Sequence, residues 1–217
     1  MKVNHLLEVN SVLSMFIAEI RDSKIQKDSM RFRRNLERIG EIIAYELSKD
    51  LSFNPTRVTT PLGVKTMQTI NEKLVVASIL RAGLPLHQGL LNYLDRAENA
   101  FISAYRKHQA DSDDFDIVID YFASPSITGK TLLLADPMLA TGKSLVGVYE
   151  GIKKFGSPKT IHLISVIASR DGIDYITKYF PENTTLWVAA IDDELNKMGY
   201  IIPGLGDAGD LAFGNKV

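Results

Sequence analysis

The sequence predicts an α/β fold with a mainly parallel central sheet flanked by helices, and we expect residues 1–217 to form a single domain. At 217 residues and 45% apolar composition, the chain is long enough to bury a substantial core. From residue 74 onward, short apolar runs alternate with turns and helix-like segments. This alternation is typical of βαβ units, in which parallel strands are buried on both faces.

The first fifty residues (1–50) are predicted to be helical. Apolar residues recur there every three or four positions, at Phe32, Leu36, Ile39, Ile43 and Leu47. Asp28 and Ser29 precede this pattern and are suitable N-caps for the helix. Further along the chain, residues 55–64 show a rough period-2 alternation, which predicts a strand or one arm of a hairpin.

Five apolar runs are predicted as strands of the sheet: 74–80, 101–105, 131–135, 161–168 and 186–190. Helices are predicted after two of them, at 143–155 and 171–180. Ligands of open parallel sheets bind beyond the carboxyl ends of the strands. Charged residues follow four of the runs, namely Arg81, Arg106, Asp136 and the pair Asp192 and Asp193. The two arginines and the first aspartate indicate a site for an anionic ligand and its metal.

The composition excludes several classes of protein. No apolar run approaches the roughly 20 residues that span a bilayer, and the first ten residues lack a signal-peptide pattern, so we expect a cytoplasmic location and no membrane partner. The absence of cysteine excludes disulfides, cysteine–zinc sites and thiol catalysis. A net charge of -1 gives no general attraction to nucleic acid. The four histidines show no paired metal-ligand spacing.

The stretch LADPMLATGKS, at 134–144, is the strongest local indication of a ligand. It is not a Walker A loop, because Pro137 stands where that motif needs a glycine. Small residues at 140–144 let backbone amides approach an anion, and the following helix contributes the positive end of its dipole. The stretch is therefore suited to one phosphate monoester. Taken alone, it is equally consistent with an ordinary strand–turn–helix connection that is capped by a threonine or serine.

The same stretch resembles the phosphoribosyl pyrophosphate (PRPP) motif of the uracil phosphoribosyltransferase family, which usually reads DPMLATGGS. The segment YIIPGLGDAGDLAFG, at 200–214, closely resembles the uracil loop of that family, and ILRAGLP and AYR match its two arginine-bearing segments in the same order. The chain departs from the family at Lys143, which replaces a glycine, and at Leu211, where Lys or Arg is common. The resemblance implies a type I phosphoribosyltransferase fold with N-terminal helices and a C-terminal uracil-binding hood over 192–217.

The resemblance implies transfer of the phosphoribosyl group of PRPP to N1 of uracil, which gives UMP and diphosphate. The residues implied to bind PRPP are Arg81, Arg106, Asp136, Pro137, Met138, Leu139, Ala140, Thr141, Gly142, Lys143, Ser144 and Asp207. The residues implied to bind uracil are Ile201, Gly206, Asp207 and Ala208. Asp136, Arg106 and Asp207 are the implied catalytic residues, and Asp207 either stabilises the ribose or assists loss of the N1 proton.

Further ligands and partners follow from the resemblance. Arg106 opens a polar stretch, 106–116, that is suited to a flap excluding water from the reaction. Mg²⁺ is expected to arrive with PRPP and to be held mainly by the substrate, without a dedicated protein metal site. We expect a homo-oligomer, either a dimer or a tetramer. GTP, which activates some relatives, is a candidate activator.

Two other functions stay open on the sequence alone. One is a regulator that has the same fold and binds a ligand or RNA without catalysis. Retention of the two arginines, Asp136 and the complete uracil loop argues against this reading, as does the lack of net basic charge. The other is a purine transferase of the same fold.

Overall fold

The computed structural model describes residues 1–108 and 115–216, and the side chains of 1–104 and 118–216. Its strands are β1 (Lys2–His5), β2 (Phe53–Thr60), β3 (Gly63–Ile70), β4 (Leu74–Leu80), β5 (Glu98–His108), β6 (Phe115–Ala123), β7 (Thr131–Ala135), β8 (Met138–Leu139), β9 (Thr160–Ser169), β10 (Thr185–Asp192), β11 (Glu194–Leu195) and β12 (Ile201–Ile202). Its α-helices are α1 (Leu13–Arg21), α2 (Ser29–Ser48), α3 (Gly83–Tyr93), α4 (Lys143–Ile152), α5 (Arg170–Thr177) and α6 (Ala208–Phe213).

The central sheet has the strand order β1-β10-β9-β7-β4-β5-β6, with β8 added beside β9. Its neighbouring strands are parallel except for the pair β5 and β6. The predicted α/β class with a mainly parallel sheet is therefore confirmed. The chain passes from β4 through α3 to β5 on one side, whereas β7 pairs with β4 on the other side. The strand order thus reverses between β4 and β7, and a crevice forms at such a point.

Helices cover both faces of the sheet because its central strands are apolar on both faces. Val75 and Val76 are successive residues of β4, and each is 0% exposed. Val76 packs in a core with α1, α2 and α3, whereas Val75 packs on the opposite face with α4 and α5. Full burial of a side chain of this size stabilises the fold by about 1.5–3 kcal/mol. None of the described helices combines the length and the apolar character that a bilayer crossing requires.

The N-terminal segment contains the helix that its periodicity predicts, with Asp28 as the N-cap. The Asp28 carboxylate accepts a hydrogen bond from the backbone N–H of Arg31 at 3.1 Å. All five residues of the apolar pattern are at most 1% exposed. The segment is not helical throughout, however, because Lys2–His5 form β1, which pairs with β10. A four-residue edge strand is too short for periodicity to reveal.

Residues 55–64, predicted as a strand or hairpin arm, lie in the hairpin of β2 and β3. Every residue of both strands is exposed, and Leu62 at the turn is 100% exposed. Several of these exposed side chains are apolar, including Val58, Val64 and Met67. A two-stranded hairpin alone is only marginally stable in water. This arm therefore lacks the packing partner that its composition calls for within the described chain.

The predicted position of Arg106 at the end of a strand is wrong. The apolar run at 101–105 is part of the longer strand β5, and Arg106 lies inside that strand, opposite Ile117 of β6. The end of β5 was not predicted because Arg106, Lys107 and His108 are all polar, so the apolar run that marks the first part of the strand does not continue there. The expected flap at 106–116 is strand at both ends, and residues 109–114 lie outside the described part of the chain.

Candidate active site

A cleft of about 1290 Å³ opens beyond the carboxyl ends of β4 and β7, where the strand order reverses. One wall consists of the loop after β4 and the β7–α4 loop (136–142), and the opposite wall consists of 195–201 and 206–209. Ten predicted site residues line it: Arg81, Asp136, Met138, Ala140, Thr141, Ser144, Ile201, Gly206, Asp207 and Ala208. The fold therefore brings together motifs that are distant in the sequence, around a space that accommodates a nucleotide-sized ligand.

The β7–α4 loop is held in place by β9 and α5. The backbone N–H of Leu139 donates to Ser165 Oγ at 3.2 Å, and the carbonyl of Ala140 accepts from Ser169 Oγ at 2.6 Å. Ser169 is also the N-cap of α5, since its Oγ accepts from the N–H of Gly172 at 2.9 Å. One serine thus connects the loop to a helix terminus and fixes the loop backbone against it.

Four predicted residues of this segment do not line the cleft: Pro137, Leu139, Gly142 and Lys143. Leu139 is 2% exposed and belongs to the core, where it anchors the loop. Gly142 has φ +76°, and a Cβ at this position would lie 2.8 Å from Ile176 Cγ2, so both the conformation and the space require glycine. Lys143 begins α4, and its backbone N–H donates to Thr141 Oγ1 at 3.4 Å.

The start of α4 has the features of an anion site. Gly142 is the residue before the helix and provides no side-chain cap, while Thr141 and Ser144 place hydroxyls on the cleft. The first amides of an α-helix lack partners within the helix, and its dipole favours negative charge at this end. The local structure therefore fits a phosphate group at the mouth of α4.

Arg81 connects the two walls of the cleft. Its Nη2 donates to Asp210 Oδ1 at 3.1 Å and to the carbonyl of Gly214 at 3.0 Å, both in the C-terminal segment. Its Nε is buried and has no hydrogen-bond partner among the described residues. The side chain as a whole is 38% exposed, so its charge can act on an anion in the cleft. The peptide bond that precedes Arg81 is cis.

A buried polar network lies behind the Arg81 loop. His87 Nε2 contacts Asn99 Oδ1 at 2.7 Å, and His87 Nδ1 contacts Ser78 Oγ at 2.7 Å. Because the amide nitrogen of Asn99 donates to the carbonyl of Ala97, its Oδ1 faces the histidine and accepts from Nε2–H. The Ser78 hydroxyl then donates to Nδ1. Burial lowers the pKa of His87, against the opposing effect of Asn99, so the neutral form is favoured.

Two carboxylates line the cleft from opposite walls. Asp136 follows β7, and its Oδ1 accepts from the backbone N–H of Met138 at 3.3 Å. Asp207 is the N-cap of α6, where its Oδ1 accepts from the backbone N–H of Asp210 at 2.9 Å. Capping of this kind is the ordinary structural role of an aspartate in a glycine-rich turn. Asp207 combines it with a position on the cleft.

The C-terminal loop (201–208) presents backbone rather than large side chains to the cleft. Ile201 and Ala208, at its two ends, are 4% and 3% exposed. Gly206 has φ +95°, a conformation that glycine adopts readily, and a Cβ there would have open space around it. The Ile202–Pro203 peptide bond is cis. An edge of amides and carbonyls is therefore available to a small flat ligand.

Two other positions that the sequence singled out, Asp192 and Leu211, lie away from the cleft. Asp192 is 8% exposed and pairs with Arg21, so it supports the C-terminal loop from behind instead of lining the cleft. Leu211 packs against the core, which accounts for an apolar residue at this position. The side chain of Arg106 lies outside the described residues.

Sequence reasoning missed several residues that hold the site. Arg21 and Asp192 pair although they are 171 positions apart, and nothing along the chain marks them as partners. Asp210 is part of the C-terminal motif, but the motif does not reveal its contact with Arg81. Ser169 does carry a signal, because it ends β9 at the ligand edge of the sheet, where residues that follow parallel strands gather.

Comparison with known proteins assigns the family. The sequence model of the uracil phosphoribosyltransferase family matches residues 8–215. The chain belongs to the uracil phosphoribosyltransferase family. A curated uracil phosphoribosyltransferase from Porphyromonas gingivalis is 53% identical to it over 217 residues, which is 100% of both chains. Another, from Methanococcus vannielii, is 43% identical over 194 residues, covering 88% of this chain and 82% of its own.

Solved structures agree with the fold. A protein from Aquifex aeolicus superposes with a TM-score of 0.87 at 30% identity and covers 99% of each chain. A hypoxanthine phosphoribosyltransferase from Staphylococcus aureus superposes with a TM-score of 0.50 at 15% identity, over 75% of this chain and 76% of its own, which is a likeness of fold alone. The predicted phosphoribosyltransferase fold is thereby confirmed. The alternative of a non-catalytic regulator gains no support from relatives that are named as transferases.

Proposed function

We propose that the protein is a uracil phosphoribosyltransferase, which transfers the phosphoribosyl group of PRPP to N1 of uracil and releases diphosphate. The observation that carries the proposal is the meeting of the β7–α4 loop and the C-terminal loop on one cleft. The first fits a phosphate and the second fits a flat base. Membership of the uracil phosphoribosyltransferase family also supports uracil and PRPP as the substrates.

The 5'-phosphate of PRPP binds at the start of α4 in this proposal. Thr141 and Ser144 contribute hydroxyls to it, backbone amides at the helix end donate to it, and the remaining residues of 137–144 shape the loop. Ser165 and Ser169 keep the loop backbone in place through Leu139 and Ala140. Because the loop is preorganised, little ordering is needed when the phosphate binds.

The reaction breaks the bond between ribose C1 and a diphosphate oxygen, N1 of uracil forms its bond to C1, and the proton of N1 is lost to a carboxylate such as Asp207, to diphosphate or to water. Positive charge develops on the ribose, and negative charge develops on the departing diphosphate. Arg81 stabilises the diphosphate, and its place on the cleft with a partly exposed side chain supports this role. The resemblance of the AYR segment to the family assigns the same role to Arg106. Fixed charges at the developing anion commonly supply the largest part of such catalysis.

Asp136 holds the ribose hydroxyls and lies near the charge that develops at C1. Mg²⁺ accompanies PRPP and neutralises the diphosphate when it is bound. Asp136 and Asp207 both line the cleft and would offer carboxylate oxygens to such an ion. This arrangement fits an ion whose ligands come mostly from substrate oxygens and water, with at most a carboxylate from the protein.

Uracil is recognised through backbone groups of Ile201, Gly206 and Ala208. Its edge alternates donors and acceptors, and amides and carbonyls of a fixed loop match such an edge. Asp207 caps α6 through Oδ1, and from this position on the C-terminal wall it stabilises the ribose or assists loss of the N1 proton. A site of this kind rejects an analogue with mismatched groups by about 10⁴- to 10⁵-fold, since buried polar groups are left unpaired.

A panel of bases tests the assignment. The purified protein, PRPP and Mg²⁺ are incubated with uracil, cytosine or hypoxanthine, and the nucleotide formed is quantified, with and without GTP. We expect UMP from uracil and at least 10⁴-fold lower kcat/KM for cytosine. Preference for hypoxanthine would instead establish a purine transferase, and no nucleotide from any base would establish a protein without transferase activity. A faster rate with GTP would identify it as an activator.

We also propose that residues 1–217 form one phosphoribosyltransferase domain, which acts in the cytoplasm as a homo-oligomer. The hairpin of β2 and β3 supports the assembly, because its apolar side chains have no cover within the described chain. A second copy supplies the apolar surface that such a hairpin needs. The mass of the assembled particle, measured by light scattering, distinguishes a dimer from a tetramer.

Substitution in the hairpin tests this assembly. The double variant Leu62→Asp/Val64→Asp removes two exposed apolar side chains, which are 100% and 55% exposed. We expect the particle measured by light scattering to dissociate at a protein concentration where the wild type stays assembled. Met15→Asp changes an equally apolar side chain on α1, 63% exposed, and serves as the control. A monomeric wild type, or an unchanged mass in the double variant, would exclude this interface.

A further inference from the structure

The turn of the C-terminal loop is held from behind by an ion pair. The backbone N–H of Gly204 donates to Asp192 Oδ2 at 3.0 Å, and the carbonyl of Gly204 accepts from Arg21 Nη1 at 2.9 Å. The backbone N–H and the carbonyl of Gly204 are thus each bound by one member of the same ion pair, Asp192 and Arg21 respectively. Gly204 has φ +55° and is buried, so the turn has little freedom to compensate for a lost contact.

The ion pair itself is rigid. Arg21 binds Asp192 through two hydrogen bonds of 2.8 Å each, from Nη1 and Nη2 to the two carboxylate oxygens. Asp192 ends β10 in the central sheet and is 8% exposed, whereas Arg21 ends α1. A bidentate pair fixes both distance and orientation. The loop is therefore held in a fixed position relative to the sheet through Asp192 and relative to the N-terminal helices through Arg21.

A third residue extends this contact toward the site. Gln26 lies after α1 and donates through Nε2 to the carbonyl of Leu205 at 3.2 Å, as well as to the carbonyls of Ile20 and Arg21. Leu205 immediately precedes Gly206, which lines the cleft. The N-terminal segment therefore binds two consecutive backbone positions, 204 and 205, directly before the part of the loop that faces the ligand.

The support matters because the loop recognises uracil through backbone groups in the proposed function. A side chain can adjust its rotamer to meet a ligand, but an amide or carbonyl is only as well placed as the chain that carries it. Sites depend on positions held within about 0.5 Å, and displacement by 1 Å can cost up to 10²-fold in rate. Loss of the contacts at 204 and 205 would let the loop move by that much without disturbing the β7–α4 loop on the opposite wall.

We propose that Arg21, acting through Asp192 and together with Gln26, is a positioning residue for uracil, so that the N-terminal helical segment sets base affinity and base selectivity. This inference rests on the proposed function, since it names which part of that site the segment controls. It concerns mainly the base half of the cleft, because the 5'-phosphate of PRPP is bound on the other wall at the start of α4, and Asp207, which contacts the ribose, is held separately as the N-cap of α6.

Steady-state kinetics of Arg21→Met, Arg21→Lys and Gln26→Met test the proposal. We expect the KM for uracil to rise about 10- to 100-fold in Arg21→Met and several-fold in Gln26→Met, with the KM for PRPP within twofold of the wild type. The preference for uracil over cytosine should fall in parallel. Arg21→Lys keeps the charge and one donor nitrogen but loses the two-nitrogen contact with Asp192, so it should recover part of the uracil affinity.

Arg31→Met is the matched control, because Arg31 also lies on an N-terminal helix and forms an ion pair, with Glu19, that does not touch the loop. It should leave both KM values unchanged. Hydrogen exchange at 201–206 gives a readout without catalysis, and these amides should exchange faster in Arg21→Met than in Arg31→Met. If Arg21→Met does not fold, the KM values of Gln26→Met and Arg21→Lys for uracil and PRPP test the proposal in its place.

Each outcome has one meaning. Equal rises in both KM values, or a fall in kcat with an unchanged KM for uracil, would show a general structural role and overturn the positioning inference while the proposed function stands. An inactive wild type would refute the proposed function itself, and with it any role of Arg21 in uracil binding. Wild-type kinetics in all three variants would show that the loop holds its position without the N-terminal segment.

Discussion

Gly172 offers a sharp test of how the β7–α4 loop is held, because the first turn of α5 touches the loop backbone there. A Cβ at this position would lie 2.9 Å from the carbonyl oxygen of Leu139 and 3.1 Å from the carbonyl carbon of Ala140, and closer still to the carbonyl oxygen of Ala140. Carbon atoms pack at about 3.5–4.0 Å, so Gly172→Ala must displace the loop by roughly 1 Å. The Ser169–Ala140 hydrogen bond, 2.6 Å long, cannot survive that displacement unchanged.

The size of the effect follows from these contacts. Overpacking costs about 1–3 kcal/mol and a lost hydrogen bond about 1 kcal/mol, so the free energy of unfolding should fall by about 2–4 kcal/mol. A loop displaced by about 1 Å should bind the 5'-phosphate of UMP 10- to 100-fold more weakly. Urea unfolding measures the first effect, and calorimetric titration of UMP measures the second.

Gly63→Ala is the control, because a Cβ at Gly63 meets no atom within 4 Å. It should change neither stability nor UMP affinity appreciably. If Gly172→Ala bound UMP within twofold of the wild type, the loop would not be held as described, and the proposed phosphate site would lose its structural basis.

Two further predictions concern charge. Lys143→Gly should leave UMP affinity within about threefold, because relatives have glycine at this position and backbone amides satisfy the phosphate; a tenfold loss that shrinks as salt rises would show that the ammonium binds the phosphate. Burial lowers the pKa values of His87 and His162 below the ordinary value of 6.5. The unfolded chain therefore binds protons at a pH where the folded chain does not, so stability should fall as the pH drops below about 6.5, by up to about 1.4 kcal/mol per pH unit for each histidine. Urea unfolding at pH 7.5, 6.5 and 5.5 measures this slope, and equal stability at all three would contradict it.

Much of the fold could be predicted because its signals are local. The buried strands β4, β7, β9 and β10 are short apolar runs, and Phe32 and its neighbours mark α2 by their period. β1 escaped prediction because it is only four residues long, so its pairing with β10 determines it. β6 does carry a local signal, since Ile117, Val118 and Ile119 form an apolar β-branched run within it, so this strand could have been predicted.

The candidate site divides in the same way. Its ligand-facing residues follow strands or lie in glycine-rich motifs, so position and resemblance both indicate Asp136, Arg81 and the C-terminal loop. The supporting residues are different, because each acts through a partner that is distant in sequence. The pairing of Arg21 with Asp192 depends on how α1 crosses the end of β10, which no local pattern records.

The most direct test of the central claim is the joint measurement of UMP and diphosphate formed from uracil and PRPP, with Asp136→Asn beside the wild type. The substitution removes a charge near the reacting ribose but changes little volume, so the variant should keep its fold and unfolding free energy. We predict that the wild type forms UMP and diphosphate in equal amounts, and that kcat falls at least 10²-fold in Asp136→Asn, since an electrostatic contact at developing charge contributes about that much. Near wild-type kcat in the variant, or diphosphate release without UMP, would contradict the account.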